Sequence, residues 1–536
     1  MQRLALLLVR LGSQASLLRR PRLLAFKLRW ALLAKSARRA YRKFAQRPSE
    51  PRVTPGVGGV SLTVAMPVYR VAEEHLRAAI ASVREQTHGD FQFLLLDDAS
   101  PEPHVPRVLG AVAREDSRVE LLRRSSNGGL AVAANDLLRA AKGRYVAFVD
   151  HDDLLPPHAL AWVVAALRTN PATDWLFSDE DKLDLQGKPR DPCFKPGFAR
   201  HLLLCWNVCT HFRVLRRETA ERLGGHRVGF EGAQDWDLAL RFAASGARFT
   251  HLPRVLYHWR MSARSMAAGA RAKAQANLAA RRAIEGFLAQ VLPHESCTVE
   301  PLLPGSSLFR VHWQLAETPP LLVLLPPGQP PPAWRWPHEL LPLAPSATPG
   351  ELAAALARAQ APLVTLPLPG MREEALAALV AFAALPGTGA AAGRWAEGGR
   401  VSCSGWVADG RGGWLDPWQG LSLHDPGYCN LAWLPQPRGV LPPGGWVARR
   451  EPLLSALEQA PLLPPRWALG LALARIEGET VVTPWVTLRH APPGPPPFSP
   501  PDFLPALPGL AWPRDPQTAL LEAPESEAAR GEVGLR

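Results

Sequence analysis

The feature that most constrains the fold of this chain is an alternation of short apolar runs and helix-like segments between Ser61 and about Gln290. The runs are too short and too rich in β-branched residues for helices, and they are typical of buried parallel strands. The alternation predicts a doubly wound, mostly parallel sheet with right-handed crossovers, flanked by helices. Strands are expected at Leu62–Met66, Phe91–Leu96, Val119–Leu122 and Tyr145–Val149, and helices at 73–86, 105–116 and 131–141.

Carboxylates gather where the fourth of these strands ends, in the sequence Asp150-His-Asp152-Asp153. Ligands of open α/β sheets bind beyond the carboxyl ends of the strands. Carboxylates placed there repel one another unless a cation or a polar substrate compensates. Asp150 and Asp152 can turn toward one hard divalent ion such as Mg²⁺ or Mn²⁺. The alternative is that these residues only cap the helix that follows.

Polar residues also follow the three earlier strands. Pro67 fixes the first loop and Tyr69 offers a stacking face, while Asp98 can accept a hydrogen bond from a base or a ribose hydroxyl. Asn127 opens an Asn-Gly-Gly turn at the start of a helix, whose backbone N–H groups can approach phosphates. Turns are rich in such residues for local reasons. Polar groups at successive strand ends nevertheless favour a single ligand site along this edge.

Further candidate site residues lie later in the alternating region, between residues 178 and 260. Asp235 begins a helical segment with the sequence Gln234-Asp-Trp-Asp237, where the helix N-terminus stabilises a carboxylate. That position suits either a capping residue or a general base. His258 follows another expected strand, so it is either a third metal ligand, a phosphate contact or a structural residue. The acidic segment 178–182 is also rich in carboxylates.

Taken in order, these motifs resemble family 2 glycosyltransferases with the GT-A fold, most closely bacterial enzymes that assemble O-antigen, capsule or other surface polysaccharides. The resemblance covers about 61–290. It is carried by Met66-Pro-Val-Tyr69, Asp97-Asp-Ala-Ser100, Asn127-Gly-Gly129, Asp150-His-Asp-Asp153, Gln234-Asp-Trp-Asp237 and Tyr257-His-Trp-Arg260.

The resemblance implies an inverting transfer from a UDP-, GDP- or dTDP-linked sugar to a glycan or lipid-linked acceptor. Asp235 would be the general base, because Gln234 replaces a Glu that many relatives carry. Mn²⁺ or Mg²⁺ would neutralise the departing diphosphate. The implied metal ligands are Asp150, Asp152 and His258, and the implied substrate-binding residues are Pro67, Tyr69, Asp98, Asn127, Asp150, Asp179, Glu180 and Trp236.

The second half resembles a degenerate copy of the first. Leu321–Pro326 repeats the pattern of Leu62–Pro67, and Pro367-Leu-Pro-Gly370 stands where the first half has its aspartates. No aspartate occurs between 301 and 408, so that segment cannot supply such an aspartate pair. We expect a second α/β domain kept for packing or acceptor binding. An unrelated or largely disordered Pro-rich region is the alternative.

These observations predict four segments. They are a basic amphipathic leader and linker (1–59), a GT-A domain (60–295), a degenerate Pro-rich GT-A-like domain (300–500) and a flexible tail (501–536). A noncatalytic nucleotide-sugar or polysaccharide-binding subunit of an assembly complex is the alternative function, and the intact Asp150, Asp152 and Asp235 argue against it.

The positive charge of the chain is confined to its start. Residues 1–50 hold 13 Lys and Arg and one acid, giving +12 of the total net charge of +13. A nucleic-acid partner is therefore not expected, because the remaining residues are nearly neutral. We expect residues 1–47 to lie on an anionic membrane surface, at the cytoplasmic face of the cell membrane. A solvated basic tail and a transit peptide are the alternatives.

Overall fold

A computed structural model describes residues 51, 60–261, 269–408, 414–425, 428–460 and 465–491. The basic leader, the Pro-rich segment 492–501 and the expected tail 501–536 lie outside the described residues. Within the described ranges, no helix combines the length and the apolar character needed to cross a membrane.

The first sheet follows the predicted alternation. Its parallel half has the order β3-β2-β1-β4, and antiparallel β7 extends it on the side of β4. Beyond β7 lies β5, which pairs in parallel with β8 and in antiparallel with β6. The strands are β1 (Leu62–Val68), β2 (Gln92–Asp97), β3 (Val119–Arg123), β4 (Tyr145–Phe148), β5 (Trp175–Leu183), β6 (Pro189–Cys193), β7 (Val214–Arg216) and β8 (Phe249–Arg260).

The helices of this half cover the sheet with one apolar face each. The first of them buries Leu76, Ala79, Ile80 and Val83, the spacing of a single helical face. The expected strands and helices are present, with ends that differ from the expected ones by at most two residues. The helices are α1 (Glu73–Arg84), α2 (His104–Glu115), α3 (Leu130–Ala140), α4 (Ala159–Thr169), α5 (Arg200–Leu203), α6 (Arg217–Arg222), α7 (Gln234–Ala244) and α8 (Gly269–Val291).

A β-hairpin of β9 (Ser296–Pro301) and β10 (Phe309–Gln314) leads into a second eight-stranded sheet. Its order is β12-β11-β13-β19-β14-β20-β18, with β15 paired to β14. A separate pair, β16 (Val407–Ala408) and β17 (Trp414–Leu415), lies outside it. The strands are β11 (Leu321–Leu325), β12 (His338–Pro342), β13 (Leu363–Leu366), β14 (Thr388–Glu397), β15 (Arg400–Cys403), β18 (Gln436–Pro437), β19 (Trp446–Arg449) and β20 (Glu479–Arg489).

The second sheet repeats the strand pairing of the first. In both, one strand pairs in parallel with two neighbours: β1 with β2 and β4, β11 with β12 and β13. An antiparallel strand follows, β7 or β19, and then a parallel pair, β5 with β8 or β14 with β20. The expectation of a second, degenerate α/β domain is therefore confirmed. Its helices are α9 (Pro349–Arg358), α10 (Glu373–Ala384), α11 (Arg450–Glu458) and α12 (Pro465–Arg475), and a 3₁₀ helix spans Tyr428–Trp433.

Aromatic side chains join the two sheets into one buried apolar core. Trp236 of α7 meets Phe309 of the hairpin, with ring centroids 5.6 Å apart. Trp313 in turn lies 5.2 Å from Phe382 of α10. Because such rings bury large areas, removing either half would expose apolar surface on the other.

Two polar contacts also cross between the halves at α5. Arg200 binds Glu479 through both its backbone N–H and its guanidinium, at 2.8 and 3.0 Å. His201 Nε2 lies 3.0 Å from Thr388 Oγ1, and its ring packs 4.8 Å from Phe382. Burial, helped by the Arg200 charge, lowers the pKa of His201 to about 3, so this imidazole is neutral in the folded protein.

We predict that His201 makes the protein acid-sensitive. The unfolded chain takes up a proton near pH 6.5 and the folded chain near pH 3, so the free energy of unfolding falls as pH drops through this window. One proton contributes up to about 1.4 kcal/mol per pH unit. Urea unfolding at pH 7 and pH 5 should therefore show a shallower pH dependence for His201→Phe than for the parent. Burial raises the pKa of Glu479 to about 7, which acts in the opposite direction in both proteins and cancels in the difference. An unchanged slope would contradict the assignment.

Candidate active site

Asp150 lies just beyond the carboxyl end of β4, where its carboxylate is 38% exposed. Its backbone N–H donates to the Tyr257 hydroxyl at 3.2 Å. The imidazole of His211 faces the carboxylate, with Nε2 3.8 Å from Oδ2. Burial alone would raise the pKa of Asp150, but the hydrogen bond and charge of His211 outweigh it and hold the pKa at about 2.

His211 is enclosed by acids and an aromatic ring. Its Nδ1 lies 3.1 Å from Glu180 Oε2, and its ring stacks on Tyr257 at 4.5 Å with an interplanar angle of 3°. Burial would lower the pKa of His211, but Glu180 and Asp150 raise it to about 10. The imidazole is therefore a cation at neutral pH and compensates both carboxylates.

The buried side chain of Lys195 also contacts this cluster. Its ammonium group donates to Glu180 Oε2 at 3.0 Å and to the backbone oxygens of Thr210 and His211. Burial would raise the pKa of Glu180, but the charges of Lys195 and His211 lower it to about 2. Glu180 is thus a buried counter-ion, and the expectation that it binds substrate remains a prediction.

Asp153 is almost completely buried, and both its oxygens accept hydrogen bonds. The Tyr257 hydroxyl donates to Oδ2 and the Arg260 backbone N–H to Oδ1, each at 2.7 Å. Burial, reinforced by the charge of Asp150, raises the pKa of Asp153 to about 8. A positive charge placed near Asp150 would relieve this repulsion.

Asp152 and His258 lie on either side of this cluster. The Asp152 carboxylate has no hydrogen bond to any residue that the structure describes, while its backbone oxygen accepts from Arg260 at 2.7 Å. His258 pairs through its backbone with Leu154, and its Nδ1 lies 2.6 Å from Asp181 Oδ1. This contact fixes the ring and directs Nε2 away from Asp181.

Among the described residues, one group of potential metal ligands has its donor atoms within 4.8 Å of one another: Asp150, Asp153 and His211. The structure thus places Asp150 in a ligand cluster, as expected. It does not bring Asp152 or His258 into that same group. Two carboxylates and an imidazole are donors that suit a divalent cation.

Asp235 lies in the first turn of α7, and its carboxylate does not cap the helix, whose N-cap is Ala233. Its Oδ2 accepts from Asn207 Nδ2 and Thr210 Oγ1, both at 3.0 Å, and lies 3.7 Å from Arg213. Asp235 Oδ1 also accepts the backbone N–H of Trp236 at 2.9 Å, so the carboxylate satisfies one donor of this helix end from within the first turn. The neighbouring Trp236 is buried and donates its indole N–H to the Leu203 backbone oxygen at 2.7 Å, so it fixes the helix rather than lining the cleft.

Asp98 organises the loop expected to meet the nucleotide. Its carboxylate accepts from Asn127 Nδ2 at 2.8 Å and from the N–H groups of Gly128 and Gly129 at 2.9 and 3.0 Å. Arg124 completes the set with an ion pair at 3.0 Å. Gly129 has φ +81°, a conformation that favours glycine. Asp98 is 3% exposed, so it shapes the loop from behind.

Of three further expected residues, Tyr69 is half-buried and Pro67 and Asp179 are buried. The Pro67 backbone oxygen is 3.1 Å from His151 Nδ1, which ties the first strand end to the aspartate loop. Tyr69 is half-buried, with the Arg70 guanidinium 5.3 Å from its ring centroid. Asp179 is buried and binds His251 Nε2 at 2.9 Å and the Lys195 N–H at 2.7 Å. The structure does not bring Asp179 to the cleft.

Sequence reasoning did not identify the segment between α5 and β7. It supplies Asn207 and Thr210 to Asp235, His211 to Asp150, and Arg213 to the space between the two acids. The only signal was a set of polar residues that interrupts an otherwise apolar stretch from Leu202 to Val214.

Comparison with known proteins identifies the family. The family described as Glycosyl transferase family 2 matches residues 63–224. The putative glycosyltransferase EpsE of Bacillus subtilis is 30% identical over 209 residues, which cover 37% of this chain and 72% of EpsE. This chain belongs to glycosyl transferase family 2.

Other proteins match this chain over only part of their own length. The O-antigen biosynthesis protein RfbC of Myxococcus xanthus is 36% identical over 265 residues, 49% of this chain and 20% of RfbC. The chain spans only 30% and 20% of the length of two curated relatives that it matches over 270 and 265 residues. A crystal structure of S. aureus TarS 1–349 in complex with UDP has a TM-score of 0.34 and 16% identity, and the match covers 44% of this chain and 72% of that one. The family 2 assignment rests on the sequence matches.

Proposed function

We propose that this family 2 member is an inverting glycosyltransferase that moves a sugar from a nucleoside diphosphate sugar to a glycan or lipid-linked acceptor in surface polysaccharide synthesis. One observation carries the proposal: the segment from Asn207 to Arg213 contacts both Asp235 and Asp150. A carboxylate that can take a proton and a carboxylate cluster that can meet a diphosphate thus share one cleft. The name of the M. xanthus relative supports the polysaccharide class.

Asp235 has the arrangement of a positioned general base. Asn207 and Thr210 orient Oδ2, and Oδ1 accepts only the N–H of Trp236, at 2.9 Å, among the described residues. A lone pair of Oδ1 can therefore accept the proton of an acceptor hydroxyl. As the oxygen of that acceptor hydroxyl bonds to the anomeric carbon, the bond from this carbon to the diphosphate breaks on the opposite face and the nucleoside diphosphate leaves. One base suffices for this displacement, and the configuration inverts.

The loop organised by Asp98 would meet the nucleotide. Its contacts with Asn127, Gly128 and Gly129 hold the entry to α3, where the Asp98 carboxylate is itself the anion at the helix N-terminus. Tyr69 offers a ring for the base at the same edge. The noncatalytic alternative would need the nucleotide contacts but not the arrangement around Asp235.

Asp150, Asp152 and His258 would hold Mn²⁺ or Mg²⁺ beside the diphosphate. Both ring nitrogens of His211 already face carboxylates, and both oxygens of Asp153 already accept hydrogen bonds. His258 contacts the Asp181 carboxylate through one ring nitrogen. Metal-binding histidines usually hydrogen-bond to a carboxylate or carbonyl in this way and bind the metal through the other nitrogen. When bound, the cation would neutralise charge on the departing diphosphate.

Asp235→Asn should abolish turnover without weakening nucleotide binding, because Asn keeps the shape but cannot take the proton. The donor is first chosen by thermal shift among UDP-, GDP- and dTDP-sugars with Mn²⁺. Release of the nucleoside diphosphate should then fall about 10²–10⁴-fold. Asp90→Asn, at an exposed acid, is the matched control and should retain full activity. Normal turnover by Asp235→Asn would show that another group is the base.

The two candidate ligand sets can be separated by calorimetric titration of Mn²⁺ in the presence of the nucleoside diphosphate. We expect Asp152→Asn and His258→Gln each to weaken Mn²⁺ binding by about 10–100-fold. Asp153→Asn should bind Mn²⁺ like the parent, because both oxygens of Asp153 are already used in hydrogen bonds to Tyr257 and Arg260. Loss of binding only in Asp153→Asn would assign the ion to the other set.

We also propose that residues 1–47 hold the enzyme on the cytoplasmic face of an anionic membrane, as their charge suggests. Replacing the 13 Lys and Arg of residues 1–50 by Gln should abolish co-sedimentation with phosphatidylglycerol vesicles at low salt. Phosphatidylcholine vesicles are the control and should bind neither protein strongly. Equal sedimentation of both proteins with anionic vesicles would rule out this role.

A further inference from the structure

The second sheet carries a cavity of about 470 Å³ at the carboxyl ends of β11 and β13. Its walls are two loops, one of residues 329–334 and one of residues 367–374. The strands that feed these loops are neighbours in the sheet, and their crossovers lead in opposite directions, to β12 and to β14. This is the topological switch point at which open α/β sheets bind ligands.

Strand register aligns this cavity with the candidate active site of the first sheet. Leu62 pairs with Tyr145, and the corresponding Leu321 pairs with Leu363. Counting onward from Tyr145 and from Leu363 shows that Leu368 takes the position in the second sheet that Asp150 takes in the first. The sequence-based alignment of Pro367 with Asp150 is therefore wrong by one residue. On this register Gly370 takes the place of Asp152.

The space that a cation would need is filled in the second sheet. A Cβ added to Gly444, which takes the place of His211, would lie 3.0 Å from Leu368 Cδ2. At Gly445 an added Cβ would meet both Leu368 and Leu488. Leucine side chains thus occupy the position of the metal cluster. The cavity lies outside these leucine side chains, and neither Leu368 nor Gly370, at the positions of Asp150 and Asp152, offers a carboxylate to a cation.

Trp334 connects the two loops that form the walls of the cavity. Its indole N–H donates to the Met371 backbone oxygen at 2.9 Å, which leaves the half-buried ring available as a surface. The Arg335 N–H donates to Glu373 Oε2 at 2.9 Å, a second link between the loops. The remaining lining includes five prolines, Pro330, Pro331, Pro332, Pro367 and Pro369.

The chemistry of the lining favours an uncharged, hydroxyl-rich ligand. Indole and proline rings pack against the C–H faces of a sugar, while an amide, a guanidinium and carboxylates bind its hydroxyls. Gln329, Arg372 and Glu374 supply such groups at the rim. Since Glu373 and Glu374 outnumber Arg372, a phosphorylated ligand would be repelled.

We propose that this cavity is a noncatalytic binding site for a neutral oligosaccharide, through which the second half holds the acceptor glycan. The inference deepens the proposed transferase function and rests on it for the choice of a glycan. The duplicated fold thus keeps a ligand pocket at its switch point after losing the acids that would make it a donor site.

Saturation-transfer difference NMR on the full chain tests the proposal with a panel of short neutral oligosaccharides of glucose, galactose, mannose and rhamnose. At least one should give signals, and Trp334→Ala should weaken its binding by about tenfold or more. Trp334→Phe keeps a ring but loses the indole contact with Met371, so it should bind more weakly than the parent and more strongly than Trp334→Ala. Asp235→Asn should bind the oligosaccharide like the parent.

Nucleotide binding measured on the same samples separates this proposal from the proposed function. Retained UDP, GDP or dTDP binding by Trp334→Ala would show that the variant is folded, and glycan loss would then belong to the cavity. No signal from any oligosaccharide, or equal binding by Trp334→Ala and the parent, would overturn the proposal. So would nucleotide signals that vanish in Trp334→Ala, because they would place a nucleotide in the cavity.

Discussion

The site depends on the hydrogen bonds of one segment, residues 199–213, which consists of α5 and the irregular stretch that connects it to β7. Such a segment carries backbone oxygens that cannot remain buried without donors. Here buried side chains and the hairpin supply those donors from four directions. The indoles of Trp236 and Trp175 donate to the backbone oxygens of Leu203 and Cys209. The ammonium of Lys195 donates to those of Thr210 and His211, and the N–H of Phe309 donates to that of Cys205. Because the backbone is fixed, Asn207, Thr210 and His211 reach the acids Asp235 and Asp150 with defined geometry.

This dependence links the second half of the chain to the first. The segment begins at Arg200 and His201, whose partners Glu479 and Thr388 belong to the second sheet. Gly387, with φ +84°, leaves the room in which the Arg200 guanidinium lies. A degenerate domain that has lost its own acids therefore still supports the residues that orient Asp235 and Asp150. This gives a physical reason for its retention that does not require any ligand.

Features that depend on the local order of residues could be predicted from the sequence, whereas features that depend on tertiary contacts could not. The strands, the helices and the Asp150 cluster at a strand end follow from periodicity and from the rule that ligands gather at that edge. Asp98 and Asp179 could not be told apart in the same way, because both follow apolar runs. Only packing shows that Asp98 holds a loop at the edge while Asp179 faces His251 in the interior. His211 was missed because nothing in its neighbours along the chain reveals that two distant acids and Tyr257 enclose it.

The two sheets also show why a duplicated fold can lose one site without losing stability. In the first sheet, clustered acids need compensation from His211 and Lys195, and that compensation is itself buried and costly. In the second sheet, Leu368 packs over Gly444 in the corresponding space, so no charge must be compensated. Replacing a buried ionic cluster by packed apolar groups is often neutral or favourable for folding. Selection for stability alone would thus erase both clusters. The persistence of the charged one, with Asp235 held beside it, is what function would require of the first sheet.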